Sequence, residues 1–103
     1  MKLENPFPIR VRVAFIDYWE CYLCGRNYPL ELHHITGRRS DSALNAAVLC
    51  KECHSHIGHT KEEEEELIRI TIRFLVRNNY QFRANDVAFY NKHKDFYNRI
   101  TKI

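Results

Sequence analysis

The chain has 103 residues, 45% of them hydrophobic and 13% aromatic, which suits one globular domain with a small core and excludes a disordered chain. Its formal charge is only +3, too small a balance to name a partner by itself. No run approaches the ~20 apolar residues of a membrane span, and Lys2, Glu4, Arg10, Arg12, Asp17 and Glu20 interrupt the start of the chain where a secretory apolar stretch would lie, so the expectation is a cytosolic protein with reduced thiols and no membrane partner.

Residues 1–8, with Pro6 and Pro8, read as an irregular lead-in. In 9–19, Ile9, Val11, Val13 and Phe15 alternate as in a strand, while Ile9, Val13 and Ile16 fit one helical face. Cys21 to Gly25 reads as a tight knuckle, with Gly25 free to take positive φ. Residues 30–35 (LELHHI) are a strand, 36–45 a polar loop, 46–49 (AAVL) a second strand. A short helix then starts near Cys53 and stops near Gly58, a C-terminal glycine.

Residues 61–79 carry two competing patterns. Ile68, Ile70, Ile72, Phe74 and Val76 alternate. Five glutamates open the segment, and Arg69, Arg73 and Arg77 recur every fourth residue toward its end. That gradient matches the helix dipole, so the segment is predicted to be helical. From 67 to 103 there are eight Lys or Arg against Asp86 and Asp95, a surface that fits either solvent or a polyanion. FYNK at 89–92 and FYNR at 96–99 repeat with a period of seven, placing Phe89, Phe96 and Ile100 on one face for core packing, with stacking on nucleic acid as the alternative. Asn85 is a candidate cap for this last helix.

The chemistry concentrates in 21–59. Cys21/Cys24 and Cys50/Cys53 form two Cys-x-x-Cys pairs separated by 25 residues. In a reduced compartment such pairs favour a closed, structural four-thiolate zinc site over disulfides, the alternative being four unrelated buried cysteines. Zinc would add folding free energy that a small core lacks. Inside the insert lie the adjacent His33 and His34 and then Asn45, and His54 follows the last cysteine. Imidazole serves as a metal ligand or as a base near neutral pH. Adjacent strand residues point to opposite faces, so the pair must divide its functions or end its strand.

The segment from Cys21 to about His59 resembles the HNH, or ββα-metal (His-Me finger), endonuclease family in its four-cysteine, zinc-stapled branch. CYLCG, LELHHI, Asn45 with Ala46–Leu49, and CKECH carry the likeness, over a little more than a third of the chain. The resemblance implies an α+β fold: a small ββα-metal motif stapled by zinc and flanked by N-terminal and C-terminal helices. It implies a single domain over 1–103, with its core at about 19–60 and a helical extension at about 61–103. It further implies metal-dependent hydrolysis of DNA phosphodiesters, with His34 as general base. His33 and His54 would hold a divalent metal such as Mg²⁺, Mn²⁺, Ni²⁺ or Zn²⁺, and Asn45 would fix the loop. Arg38 and Arg39 would contact phosphates, or merely keep the loop soluble. Many members carry a further His four residues after the one matching His54; here that position is Gly58, and His59 is the weaker stand-in, ahead of His56, while His93 reads as a surface residue. Such proteins are similar to phage and bacterial nucleases, which implies the cytoplasm of a bacterial host cell, DNA as partner, and self-association or a phage or bacterial protein partner as further options. The alternative function is a non-catalytic zinc module that binds DNA or protein.

Overall fold

The computed structural model describes the backbone of residues 7–37 and 40–101, and their side chains except at 96 and 99–101. The elements run α1 (Ile9–Ala14), β1 (Leu30–His34), a 3-10 turn (Ala43–Asn45), β2 (Ala46–Cys50), α2 (Lys51–His56), α3 (Lys61–Arg77), α4 (Ala84–Lys92) and α5 (Lys94–Thr101). The result is a small α+β fold around one antiparallel hairpin. No helix among the described residues is long and apolar enough to cross a membrane.

The hairpin register pairs Leu30 with Cys50, Glu31 with Leu49, Leu32 with Val48, His33 with Ala47 and His34 with Ala46. Strand parity puts Glu31 and His33 on one face and His34 on the other. Helix α2 packs against both strands, and α3 packs against β2 and the 43–45 turn. Leu32, Val48 and Leu49 from the strands, and Leu67 and Leu75 from α3, are fully buried. Burying each such side chain contributes about 1.5–3 kcal/mol, which is why a two-stranded sheet, marginal alone, persists here.

Segment 61–77 is helical because its buried residues are Leu67, Ile68, Thr71 and Leu75, a spacing that only a helix brings to one side. The alternating isoleucines are a by-product of that stripe. Thr60 caps the helix: its hydroxyl accepts the Glu63 N–H at 3.2 Å, and the Glu63 carboxylate accepts from Thr60 in return, the reciprocal box that satisfies two orphan donors. Thr71 ties α3 to the sheet. Its hydroxyl donates to the Ala46 carbonyl and lies within hydrogen-bond distance of the Tyr22 hydroxyl, at 2.8 Å.

Several local expectations are corrected. Helix α1 is present, but Ile9, Val13 and Ile16 are 70%, 57% and 60% exposed. The inward stripe is instead Phe7, Val11 and Phe15, one residue in four. Helix α2 begins at Lys51 rather than Cys53, because Cys50 is its cap and accepts the Cys53 N–H on sulfur at 3.4 Å. It ends at His56, so Gly58 lies beyond the helix rather than closing it. The last helix is two helices that break at His93. The seven-residue echo therefore crosses an elbow: Phe89 and Tyr97 are buried, and the side chains of Phe96 and Ile100 lie outside the described residues. Asn85 is inside the first turn of α4; the cap is made by Asp86, which accepts the Arg83 N–H at 2.8 Å.

Candidate functional site

The four cysteine sulfurs lie within 4.8 Å of one another. Cys24 Sγ and Cys50 Sγ are 3.6 Å apart, far beyond a disulfide bond of ~2.0 Å and close to the ~3.8 Å expected between sulfurs of a tetrahedral site with Zn–S of ~2.3 Å. The knuckle that presents Cys21 and Cys24 closes through the Gly25 N–H on the Cys21 carbonyl at 3.1 Å, with Gly25 at φ +77°, where any Cβ would be strained. The Leu23 N–H points at Cys21 Sγ at 3.4 Å. Burial opposes ionisation of Cys21, but hydrogen bonds with the backbone of Cys50, Cys24 and Leu23 and with the Cys53 thiol bring it down to about 7. Burial and the neighbouring thiols push Cys53 up. Such a set carries one thiolate readily and needs a cation to ionise fully. The donors, their number and their spacing fit one structural metal ion such as zinc.

Three imidazoles gather on the Glu31/His33 face. The His33 ring centroid is 4.9 Å from that of His54 and 5.6 Å from that of His59. His33 is buried, and its Nε2 has no hydrogen-bond partner. Burial, followed by the nearby His54, His59 and His34, lowers His33 to about 4, so it is neutral at pH 7 and offers a lone pair. Glu31 Oε1 accepts from His54 Nδ1 at 2.8 Å, which places the proton on Nδ1 and leaves Nε2 as a lone-pair donor. A carboxylate behind an imidazole in this way both orients it and raises its basicity as a ligand. His59 Nδ1 lies 3.9 Å from Glu64. The chain reaches His59 because α2 has already ended, and Glu63, accepting the Gly58 N–H at 3.2 Å, holds the segment against the start of α3. A Cβ at Gly58 would sit 2.7 Å from that carboxylate. His56 bonds its own helix backbone at Glu52 and is not part of the cluster.

His34 faces the other way. Asp41 Oδ1 lies 3.1 Å from its Nε2, and the Phe7 ring stacks on the imidazole at 3.8 Å and 6°. The side chain is 7% exposed. A carboxylate on Nε2 puts the proton there and makes Nδ1 the basic nitrogen.

Asn45 is fully buried and closes the loop that carries Asp41. Its Oδ1 accepts from the Thr36 N–H and hydroxyl, both at 2.9 Å, and its Nδ2 donates to the carbonyls of Gly37 at 3.0 Å and Ser40 at 2.9 Å. Its own carbonyl accepts the Ile35 N–H at 2.8 Å. Asn45 thus ties Ile35, Thr36, Gly37 and Ser40 together. Arg38 and Arg39 lie outside the described residues.

Four participants escaped the sequence reading. Glu31 was findable by parity, two residues before His33 on the same strand. Asp41 sits in a polar loop with nothing to distinguish it from its neighbours. Phe7 belongs to the proline-flanked lead-in. Asp86 is distant in sequence: its carboxylate, 1% exposed, accepts from Ser42 Oγ at 2.6 Å, the Ala43 N–H at 3.0 Å, the Tyr80 hydroxyl at 3.2 Å and the Arg83 N–H. It bolts α4 to the turn that ends at Asn45.

Fold and site together define a small α+β fold with a four-cysteine cluster that could hold a metal ion and, beside it, a histidine-rich hairpin. No protein-family model, curated protein or solved structure matches the chain.

Proposed function

We propose that the chain is a metal-dependent DNA endonuclease of the HNH, ββα-metal type, with a structural zinc on Cys21, Cys24, Cys50 and Cys53. The observation that carries this reading is the division of the two adjacent histidines. His33 turns toward His54 and His59, and His34 turns toward Asp41.

On this reading His34 Nδ1 takes a proton from water as the water oxygen attacks phosphorus and the P–O bond to the departing sugar oxygen breaks. Asp41, accepting from Nε2–H, holds the ring and stabilises the imidazolium that forms, as the aspartate of a catalytic triad does. Phe7 fixes the ring plane. Asn45 keeps the 36–41 loop, and with it Asp41, in register with β1. His33 and His54, with His59 as an auxiliary, would hold a divalent metal, which when bound supplies charge neutralisation at the phosphate and the leaving oxygen.

The test is nicking of supercoiled plasmid with Mg²⁺, Mn²⁺ or Ni²⁺, wild type beside His34→Ala. Loss of a general base lowers the rate by about 10²–10⁴-fold, and zinc content should not change. Cleavage that survives the substitution removes the role of His34; a wild type inert with every metal removes the enzyme.

One observation favours a second reading, a non-catalytic zinc module that binds DNA or protein. His34 is nearly buried beneath Phe7, and a base must reach water. That reading predicts one tightly held zinc, no second metal, and DNA binding without cleavage.

A further inference from the structure

The C-terminal helices have no part in the chemistry above, yet they wall it. A cleft of about 570 Å³ opens between the loop after β1 and α4, lined by Thr36, Ser40 and Asp41 on one side and by Asn85, Lys92 and His93 on the other. A second space of about 490 Å³ shares Thr36, Lys92 and His93 and runs on toward Lys61 and Glu64 at the start of α3. The two spaces differ in charge. The second mixes Lys61 and Lys94 with Glu64, Glu65 and Asp95. The first has a single carboxylate, Asp41, which His34 already engages. Lys92 lines this space and makes no ion pair among the described residues.

The position of Lys92 is fixed rather than fortuitous. Asp86 anchors α4 to Ser42 and Ala43 through buried hydrogen bonds. Lys92 follows six residues later on the same helix, about 9 Å along its axis at 1.5 Å per residue. The opposite wall is held just as firmly, because Thr36 and Ser40 are both gripped by Asn45. Lys92 and Ser40 therefore line one preformed cleft that begins at the carboxylate orienting His34. Burial and the adjacent Lys92 lower His93.

We propose that this cleft binds the phosphate backbone of the nucleic-acid strand beside the scissile bond, with Lys92 as the phosphate contact and the Ser40 hydroxyl as a hydrogen-bond donor. The inference rests on the nucleic-acid reading above and extends it to the substrate-binding face. A backbone contact positions the strand without reading its sequence, so its signature lies in salt dependence and is shared by all sequences.

The experiment measures anisotropy of a fluorescein-labelled duplex oligonucleotide titrated with His34→Ala protein, which binds without cutting, from 50 to 200 mM NaCl. Lys92→Glu is added to that background, and Arg77→Glu serves as the charge-matched control. Arg77 lies 16 residues from Lys61 along α3, about 24 Å from that end at 1.5 Å per residue. Lys92→Glu should weaken binding on the order of tenfold and reduce the slope of log K against log salt by about 1, equally for two unrelated sequences. Arg77→Glu should do much less, and zinc content and circular dichroism should match across variants. Equal weakening by the two charge reversals, or none by either, overturns the cleft and leaves the plasmid result standing. Absence of any binding by the parent overturns both. A Lys92-specific loss in a protein that never cuts DNA supports the cleft and retires the endonuclease.

Discussion

The thiol cluster and the imidazole cluster are built on the same hairpin, yet they are held in opposite ways. The four sulfurs converge on one another to within 4.8 Å, and what surrounds them is backbone N–H. The imidazoles stand further apart, with ring centroids at 4.9 and 5.6 Å from His33. Two of the three are braced from outside by carboxylates, Glu31 behind His54 and Glu64 near His59. A closed set of four soft ligands suits a metal that shapes the chain; an open set of braced nitrogens suits one that comes and goes. On the proposed reading, shape is vested in one cluster and exchange in the other.

The sharpest way to break that contrast is to strip the metal from the thiols. Structural zinc in small domains is worth on the order of 10 kcal/mol, as much as the whole stability of a typical domain. A strong chelator, or Cys50→Ala, should abolish the cooperative thermal transition seen by circular dichroism. Retention of that transition would mean the thiols are ordinary core residues. Asn45→Ala comes next. It strands the Thr36 N–H and two loop carbonyls, so urea denaturation should show a loss of roughly 2–4 kcal/mol while zinc stays bound; a loss below 1 kcal/mol would mean that the loop is held elsewhere.

His33 offers a pH test. Its folded value, about 4, lies below the ordinary 6.5, so between those values the unfolded chain binds more protons than the folded one. Stability should therefore fall as pH drops from 6.5 toward 4, by about 3 kcal/mol at most if the two values hold. Zinc release contributes to acid unfolding too, so the measurement is the difference between wild type and His33→Gln in denaturation at pH 7 and pH 5. Parallel pH profiles would deny the imidazole its buried, neutral state. The smallest effect belongs to Arg26 and Glu52, 3.3 Å apart on the outside of the knuckle and both more than half exposed. Glu52→Ala should leave the urea midpoint essentially unchanged; a clear shift would show that the thiol cluster leans on its surface charges.

What the sequence disclosed was whatever is local. The knuckle glycine, the two strands, the charge gradient of α3 and the Cys-x-x-Cys pairs each announce themselves within a few residues, because spacing alone fixes which side chains meet. The inward face of α1 was misread because Phe7, outside the helix, completes the Phe7–Val11–Phe15 stripe. The elbow at His93 was hidden by a repeat that runs through it. Asp86 could not be found at all from the chain, since its partners Ser42 and Ala43 are more than forty residues away and a lone aspartate on a helix has no periodic mark. Asp41 and Glu31 lie between these cases: parity points to Glu31 once His33 is singled out, but only folding brings the 40–43 loop back onto His34.

The strand register carries a last consequence. His33 and His34 each stand opposite an alanine, Ala47 and Ala46, both fully buried. Cross-strand neighbours sit about 4.5–5.5 Å apart at Cβ, so these two methyl groups set the headroom of both rings. A larger aliphatic at either position would leave every ligand and every proton donor in place and still tilt an imidazole off its axis. The dipeptide Ala46–Ala47 is therefore as much a part of the histidine pair as the carboxylates are, a mould rather than a partner.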